Sequence, residues 1–203
     1  MPPAERSDAK GADGNTPLDE NELEGLIPPH LTTRAELNQW EARNIALAYE
    51  WIAKRTPDVL DLKSLRELHR RMFDETWIWA GSFRRSDKSM SPYHWTEVPR
   101  LVRDLLANTQ VRYTQVDRTP EALDVLAIRF HHELVRIHPW PNGNGRHARL
   151  AADLLVSGWG RPRFSWGGAK HATRVSELRA RYLGALKAAD AGEFDELTRF
   201  ARE

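Results

Sequence analysis

Apolar side chains recur at steps of three and four residues through most of the chain, the spacing of helices with one buried face. The first series follows a pair of threonines that can cap a helix and predicts a long helix over about residues 33–55. The same pattern predicts six more helices: one from Ser64, one over about 97–111, one that follows Thr119 and runs into His138, one ending at Gly158, one stopping at Gly192 and a short one at the C-terminus. Residues 81–95 alone are predicted to be extended or hairpin-like. The predicted fold class is therefore all-α, a helical bundle with one β-hairpin.

Charge divides the chain into two parts. Residues 1–30 hold two basic and seven acidic side chains, whereas the whole chain of 203 residues carries a formal charge of +1. The first fifteen residues are rich in Gly, Asp, Ala and Pro and show no apolar period. Residues 1–25 are therefore predicted to be an acidic, disordered extension, and residues 26–203 one packed domain.

Composition excludes several kinds of protein. The chain has no cysteine, which excludes disulfides, thiolate nucleophiles and cysteine-based metal sites. No apolar run approaches the roughly 18–20 residues that span a bilayer, and the N-terminus lacks the apolar region of a signal peptide. The arginines near residues 161–163 and 174–181 accompany no nucleic-acid motif, so they are interpreted as a solvated face. We expect a cytoplasmic protein with neither a membrane nor a nucleic acid as its partner.

The candidate chemistry is concentrated between two predicted helices, in the string HPWPNGNGRHAR over residues 138–149. Two prolines stop the incoming helix, and two glycines let the backbone turn tightly and approach a ligand. Unpaired N–H groups at the start of the next helix favour phosphate, and Arg146 and Arg149 on one helix face add charged donors. His138, at the rim, can accept a proton from a hydroxyl near neutral pH. These residues predict a polyphosphate site with a general base.

The string resembles the signature of Fic-domain proteins, His-Pro-Phe-x-(Asp or Glu)-Gly-Asn-Gly-Arg-x-x-Arg. The matching residues are His138, Pro139, Gly143, Asn144, Gly145, Arg146 and Arg149. Trp140 replaces the usual Phe. The segments 77–84 and 164–167 resemble those of the Fic subgroup called mobile mystery protein B, and the resemblance covers about residues 26–200.

The resemblance implies transfer of AMP from ATP to a Tyr, Thr or Ser hydroxyl of a target protein (AMPylation), with Mg²⁺ as cofactor. His138 would be the general base. The phosphates would be held by Gly143, Asn144, Gly145, Arg146 and Arg149. The metal-binding Asp or Glu of the family is Asn142 here, whose amide oxygen is a neutral and weaker ligand for Mg²⁺. Two alternatives stay open: phosphoryl transfer to a protein hydroxyl, and a weakly catalytic nucleotide-binding protein that acts by binding, with an antitoxin as its partner.

The resemblance also implies two elements beside the loop. A β-hairpin flap would clamp the target by strand addition, and its residues here are Ser82, Phe83, Arg84, Arg85 and Ser86. An inhibitory helix with the pattern (Ser or Thr)-x-x-x-Glu-(Gly or Asn) would place a carboxylate on the second motif arginine. Glu36, in the helix start over about residues 32–38, is the preferred candidate, although Leu37 follows it. Glu20, in the acidic extension, is the alternative.

Overall fold

The computed structural model describes residues 23–31, 33–168 and 175–203 of the chain. The helices of this part are α1 Arg34–Lys54, α2 Leu62–Phe73, α3 Val98–Gln115, α4 Pro120–Ile137, α5 Asn144–Gly158, α6 Val175–Asp190 and α7 Asp195–Arg202. The prediction of a mainly helical fold is confirmed there. Glu20 and most of the predicted acidic extension lie outside the described residues. In the part of the chain that the structure describes, no helix is long and apolar enough to cross a lipid bilayer.

The helix starts follow local capping chemistry. Thr33 caps α1 in a capping box with Glu36, and Thr119 caps α4 with Pro120 in the first turn. The helix predicted from Ser64 begins instead at Leu62, because Asp61 is its cap: the Asp61 carboxylate accepts the Ser64 N–H at 2.8 Å. A carboxylate near a helix N-terminus also interacts favourably with the helix dipole.

Helices α4 and α5, which pack against each other, form the centre of the fold. Helix α4 packs against α5 and α3, α1 packs against α2, and α6 packs against α7. The core side chains of α4 and α5 that have almost no exposed surface include Ala127, Ile128, Phe130, Leu134, Ala151, Ala152 and Val156. Each large one contributes about 1.5–3 kcal/mol through burial. The loop that joins α4 to α5 therefore extends from a rigid pair of helices.

The predicted β-hairpin is not confirmed. Residues 82–94, which we call the flap segment, form turns and bends in the described structure, without paired strands. Their sequence has no alternation of apolar and polar positions that would give a strand one buried face. Hydrogen bonds from Arg84 and Ser91 to backbone carbonyls attach the segment to the end of α4 instead. A 3-10 turn, Trp95–Glu97, then leads into α3.

Candidate functional site

His138 ends α4 in an unusual backbone conformation. Its φ of 55° and ψ of 59° are left-handed, and its N–H donates to the carbonyl of Leu134. A residue with a Cβ adopts this conformation at a cost of about 1–2 kcal/mol, so its surroundings must enforce it. The imidazole Nδ1 lies 3.3 Å from the carbonyl oxygen of Val135. This contact favours the tautomer that carries the proton on Nδ1, in which Nε2 is the ring's proton acceptor.

The surroundings of His138 keep its imidazole neutral. The residue is 4% exposed, and burial lowers its pKa from the ordinary 6.5 to about 4. The positive charges of Arg84 and Lys88 lower this pKa further, while the contact with Val135 acts in the opposite direction. At pH 7 the side chain is therefore a free base rather than an imidazolium, which is the form that can take a proton from a hydroxyl.

Buried aromatic and amide groups fix the shape of the loop. Trp140 is fully buried and stacks on His69 with ring centroids 4.3 Å apart, and its indole N–H donates to Nδ1 of His147. The Asn144 amide oxygen accepts the Trp140 N–H at 2.9 Å, and the Asn144 amide nitrogen donates to the Trp140 carbonyl at 2.8 Å. The predicted phosphate ligand Asn144 therefore uses its side chain to hold the loop, which leaves its backbone N–H for a ligand.

Gly143 is placed where another residue would not fit. Its φ of 78° is left-handed, and a Cβ would lie 2.4 Å from the ring of Phe73. No side chain caps the helix α5 that starts after it. The first N–H groups of a helix have no acceptor within the helix, so those of Asn144 and Gly145 supply donors at the positive end of the helix dipole. An anion such as phosphate fits this arrangement.

The two motif arginines follow on the first turns of α5. Arg146 is 32% exposed, its guanidinium lies over the ring of Phe73, and its Nη2 is 2.8 Å from Oε2 of Glu41. Arg149 lies over the ring of Tyr182, with its guanidinium carbon 5.2 Å from the centroid. Both arginines are thus beside the N-terminus of α5, but one of them is paired with a carboxylate.

Glu41, on α1, is a residue of this site that the sequence analysis did not identify. It has no exposed surface. Its Oε1 accepts the indole N–H of Trp77 at 2.8 Å and lies 3.5 Å from the amide nitrogen of Asn142, while Oε2 faces Arg146. A buried carboxylate is costly unless it is paired in this way. The signal that could have found it is its position one helical turn after Leu37, where the buried stripe of α1 has a charged residue.

Glu36, the preferred inhibitory residue, lies elsewhere on the same helix. Its carboxylate accepts the N–H of Thr33 at 2.9 Å at the exposed start of α1. Residues five apart on a helix do not share a face, so Glu36 and Glu41 point in different directions. The carboxylate that reaches a motif arginine from α1 is that of Glu41, and its partner is Arg146.

The flap residues divide into buried and exposed side chains. Phe83 stacks on Trp140 with centroids 5.2 Å apart, and Arg84 is buried with its guanidinium on backbone carbonyls. Ser82 and Arg85 are exposed, and the carbonyl of the partly buried Ser86 accepts from Arg84. An open cavity of about 420 Å³ lies beside them, lined by Arg66, Ser82, Phe83, Arg84, Arg85, Trp95, Thr96 and Pro99.

Residues 59–156 match the Fic/DOC family. The chain contains a Fic/DOC family domain. The matched range includes α2, the flap segment, the His138 loop and both motif arginines. It ends within α5 and leaves α1, with Glu41, outside.

Solved structures of Fic proteins share the fold of this chain. BepC, a VirB-translocated effector of Bartonella tribocorum with bound AMPPNP, has a TM-score of 0.70 at 15% identity over 91% of this chain and 97% of its own. The Fic domain of a Bep effector from Bartonella quintana with bound ADP has a TM-score of 0.68 at 16% identity over 86% of each chain. Fic-1 of C. elegans has a TM-score of 0.62 at 21% identity over 88% of this chain. The present chain spans 51% of that Fic-1 structure. Similarity to mobile mystery protein B remains a prediction.

The residues present do not fit a Mg²⁺ ion held by the protein at position 142. The amide oxygen of Asn142 accepts the N–H of Gly143 at 2.7 Å, and the nearby carboxylate of Glu41 faces Arg146. The described residues also contain no cluster of three or more His, Asp or Glu side chains that could hold a metal. Mg²⁺ prefers carboxylate and phosphate oxygens. Both carboxylate oxygens of Glu41 already face groups of the protein, Oε1 the indole of Trp77 and Oε2 the guanidinium of Arg146.

Three further histidines near the loop, His69, His131 and His147, have no exposed surface. Burial lowers the pKa of His147 to about 4 and that of His131 to about 3, and it lowers the pKa of His69 well below 6.5. His147 donates from Nε2 to the carbonyl of Leu65 while Nδ1 accepts from Trp140, so its ring is held in the neutral form. Burial acts in the opposite sense on Asp153, whose pKa it raises to about 6.

We expect these histidines to make the domain sensitive to acid. Their pKa values are lower in the folded than in the unfolded chain, so between about pH 6.5 and pH 4 the unfolded chain binds more protons and stability falls as pH falls. Lowering the pKa of His147 from 6.5 to about 4 corresponds to about 3 kcal/mol, and the opposing effect of Asp153 does not offset that of the histidines. Thermal melts from pH 7.5 to pH 4.5 should show a steep fall in Tm, and His147→Gln should flatten it. A Tm that stays constant down to pH 4.5 would contradict this account.

Proposed function

We propose that the domain transfers AMP from ATP to a Tyr, Thr or Ser hydroxyl of a target protein. The observation that carries this proposal is the neutral imidazole of His138, held at the end of α4 immediately before the uncapped N-terminus of α5. The hydroxyl oxygen bonds to the α-phosphorus while its proton passes to Nε2 of His138. The bond from the α-phosphorus to the bridging oxygen breaks, and pyrophosphate leaves. The base and the N-terminus of α5, whose N–H groups at Asn144 and Gly145 we call the phosphate cradle, are adjacent because one short loop joins them.

The rest of the site acts by positioning and by stabilising charge. The N–H groups of Asn144 and Gly145 supply donors to the inner phosphates, whereas the N–H of Gly143 is bonded to the Asn142 amide oxygen, and Arg146 and Arg149 supply charged donors to the outer phosphates. Phosphoryl-group transfer needs little other chemistry from a protein. The AMPPNP in BepC and the ADP in the Bartonella quintana domain support an adenine nucleotide as the ligand.

We further propose that residues 26–203 act as one unit in which α1 restrains the site. Glu41 replaces Glu36 as the inhibitory residue of this proposal. The carboxylate of Glu41 pairs with the Arg146 guanidinium that an outer phosphate would occupy, so the protein's carboxylate and the nucleotide's phosphate compete for one cation. ATP can then bind with its outer phosphate on Arg146 only when α1 moves and the ion pair with Glu41 breaks. Otherwise its phosphates must bind in a different position.

The position of the label in ATP distinguishes AMP transfer from phosphoryl transfer and from nucleotide binding without transfer. The full chain and its Glu41→Gln variant are incubated with a cell lysate and with ATP labelled either in the adenine or on the γ-phosphate. We expect proteins to acquire the adenine label. Acquisition of the γ-label would indicate phosphoryl transfer instead. Nucleotide binding without either label would indicate a protein that acts by binding, as expected of the toxin–antitoxin alternative.

The Asn142→Asp variant tests how the unusual motif residue relates to Glu41. An aspartate would bring a second carboxylate to within about 3.5 Å of Glu41, and the two like charges repel. We expect the contact between α1 and the loop to weaken and the initial rate of AMP transfer to rise about tenfold, which corresponds to about 1.4 kcal/mol.

The double variant Glu41→Gln/Asn142→Asp serves as its control. If the aspartate acts through Glu41, the double variant transfers AMP at the rate of Glu41→Gln alone. A further rise in the double variant, accompanied by a changed Mg²⁺ titration curve, would show instead that residue 142 binds the ion.

A further inference from the structure

Arg84 is buried although it lies in a polar segment of the chain. It is 1% exposed, and an arginine is seldom buried unless its donors are paired. Its hydrogen bonds run from Nε to the His138 carbonyl at 2.8 Å, from Nη1 to the Ser86 carbonyl at 2.7 Å, and from Nη2 to the Tyr93 carbonyl at 2.8 Å and the Ser91 hydroxyl at 3.3 Å. The guanidinium therefore joins the flap segment to the loop that begins at His138.

These bonds converge on the end of α4. Besides the His138 carbonyl, Nη2 of Arg84 reaches the carbonyl of Ile137 at 3.5 Å, and its backbone N–H donates to the carbonyl of Pro139 at 2.9 Å. The last carbonyls of a helix accept no hydrogen bond from within the helix, and they lie at the negative end of its dipole. A cation with donors in a planar fork suits several such carbonyls at once. Arg84 thus contacts the backbone on both sides of His138 and at His138 itself.

Ser91 extends the same arrangement. Its hydroxyl lies 3.0 Å from the carbonyl of Arg136 and 3.1 Å from that of Ile137, in addition to its contact with Arg84. The flap segment thereby attaches to four consecutive carbonyls, from residue 136 to residue 139. The left-handed conformation of His138 directs its carbonyl toward Nε of Arg84.

We propose that Arg84 is a positioning residue for AMP transfer, which holds His138 in its left-handed conformation and thereby directs the imidazole toward the phosphate cradle. The proposal rests on the proposed function for the identity of the reaction. It assigns to Arg84 a role different from the target clamp predicted from the sequence. Its neighbour Arg85, which is exposed, serves as the matched control.

The positioning role of Arg84 can be measured through the pKa of His138, because charged groups next to the imidazole affect that pKa. They are Arg84 and Lys88, both cationic, together with the dipole of the Val135 carbonyl. Removing Arg84 takes away one cation, and it also releases the loop so that water reaches the imidazole. Both changes raise the pKa of His138.

The test is a titration of the histidine Cε1–H resonances by NMR in the full chain and in Arg84→Gln, Arg84→Lys and Arg85→Gln. We expect the pKa of His138 to rise by about one unit or more in Arg84→Gln, and to rise in Arg84→Lys, which keeps the charge but lacks the planar fork. His147 reports on the intact fold, since its ring is bonded to Trp140 and to the Leu65 carbonyl and not to Arg84. It should not shift, and Arg85→Gln should leave His138 unchanged.

The proposal fails if His138 titrates as in the parent in both Arg84 variants while His147 is unchanged. It also fails if Arg85→Gln shifts His138 as much as Arg84→Gln does. Should neither Arg84 variant fold, Ser91→Ala decides, since it removes the hydroxyl that connects Arg84 with the Ile137 carbonyl. A smaller rise in the pKa of His138 supports the proposal there, and no rise overturns it.

Kinetics provide a second readout. In Arg84→Gln we expect kcat for AMP transfer to fall about tenfold or more, with KM for ATP nearly unchanged, because the cradle on α5 stays intact. A rise in KM with constant kcat would overturn the proposal. The titration needs no turnover, so a parent protein that transfers no AMP would contradict the proposed function and would leave the effect of Arg84 on His138 measurable by itself.

Discussion

Replacing His138 by alanine is expected to lower the rate of AMP transfer by about a hundredfold or more. The substitution removes the imidazole that is positioned beside the phosphate cradle and is neutral at pH 7 because burial and two nearby cations keep its pKa at about 4. The backbone N–H groups of α5 and the two motif arginines remain, so nucleotide affinity should change little. The measurements are initial rates with adenine-labelled ATP and nucleotide binding by calorimetry.

His132→Ala is the matched control for this substitution. His132 lies on the same helix, but its Nε2 is paired with Asp190 at 2.8 Å rather than with the loop. We expect transfer by this variant to remain close to that of the parent. Equal labelling by His138→Ala and the parent would exclude a general-base role for His138, whatever the result with His132.

Replacing Glu41 by glutamine is expected to raise the rate of transfer about tenfold or more, because the pairing it removes is a buried one. Glutamine has nearly the same shape and keeps an oxygen for the indole N–H of Trp77, but it lacks the charge that pairs with Arg146. The guanidinium of Arg146 then becomes available to phosphate. The rate is measured as self-labelling and as labelling of a lysate with adenine-labelled ATP.

Glu36→Gln separates this mechanism from a general effect of α1. Its carboxylate caps the start of α1, so its loss should cost a few tenths of a kcal/mol of stability and leave transfer unchanged. Arg149→Ala should be inactive with either residue at position 41. Activation by Glu36→Gln and not by Glu41→Gln would show that Glu36, at the start of α1, is the inhibitory residue. Activation by neither variant would show that α1 does not inhibit transfer.

Much of the fold and the central motif can be read from the sequence because they depend on local signals. The Thr119-Pro120 start of α4 and the end of α5 at Gly158 follow from capping and periodicity. The loop follows from two prolines, which a helix interior excludes, and from Gly143, which adopts the left-handed conformation between the two helices. Such features require no knowledge of which helices are neighbours.

The roles that the sequence did not reveal depend on contacts between distant parts of the chain. Glu41 meets Asn142 across 101 positions, and nothing near Glu41 in the sequence shows which arginine it will reach. Arg84 stands in a polar stretch that predicts an exposed turn, yet the carbonyls at the end of α4, 53 to 54 positions away, take up its donors. Burial of a charged residue in each case follows from a partner that only the tertiary structure identifies.

The decisive comparison is between Glu41→Gln and Glu41→Gln/His138→Ala in one lysate, with ATP labelled in the adenine and, separately, on the γ-phosphate. We expect the single variant to transfer the adenine label to protein, the double variant to transfer none, and neither variant to transfer the γ-label. Equal adenine labelling by the two variants, or labelling from the γ-phosphate alone, would exclude AMP transfer by His138.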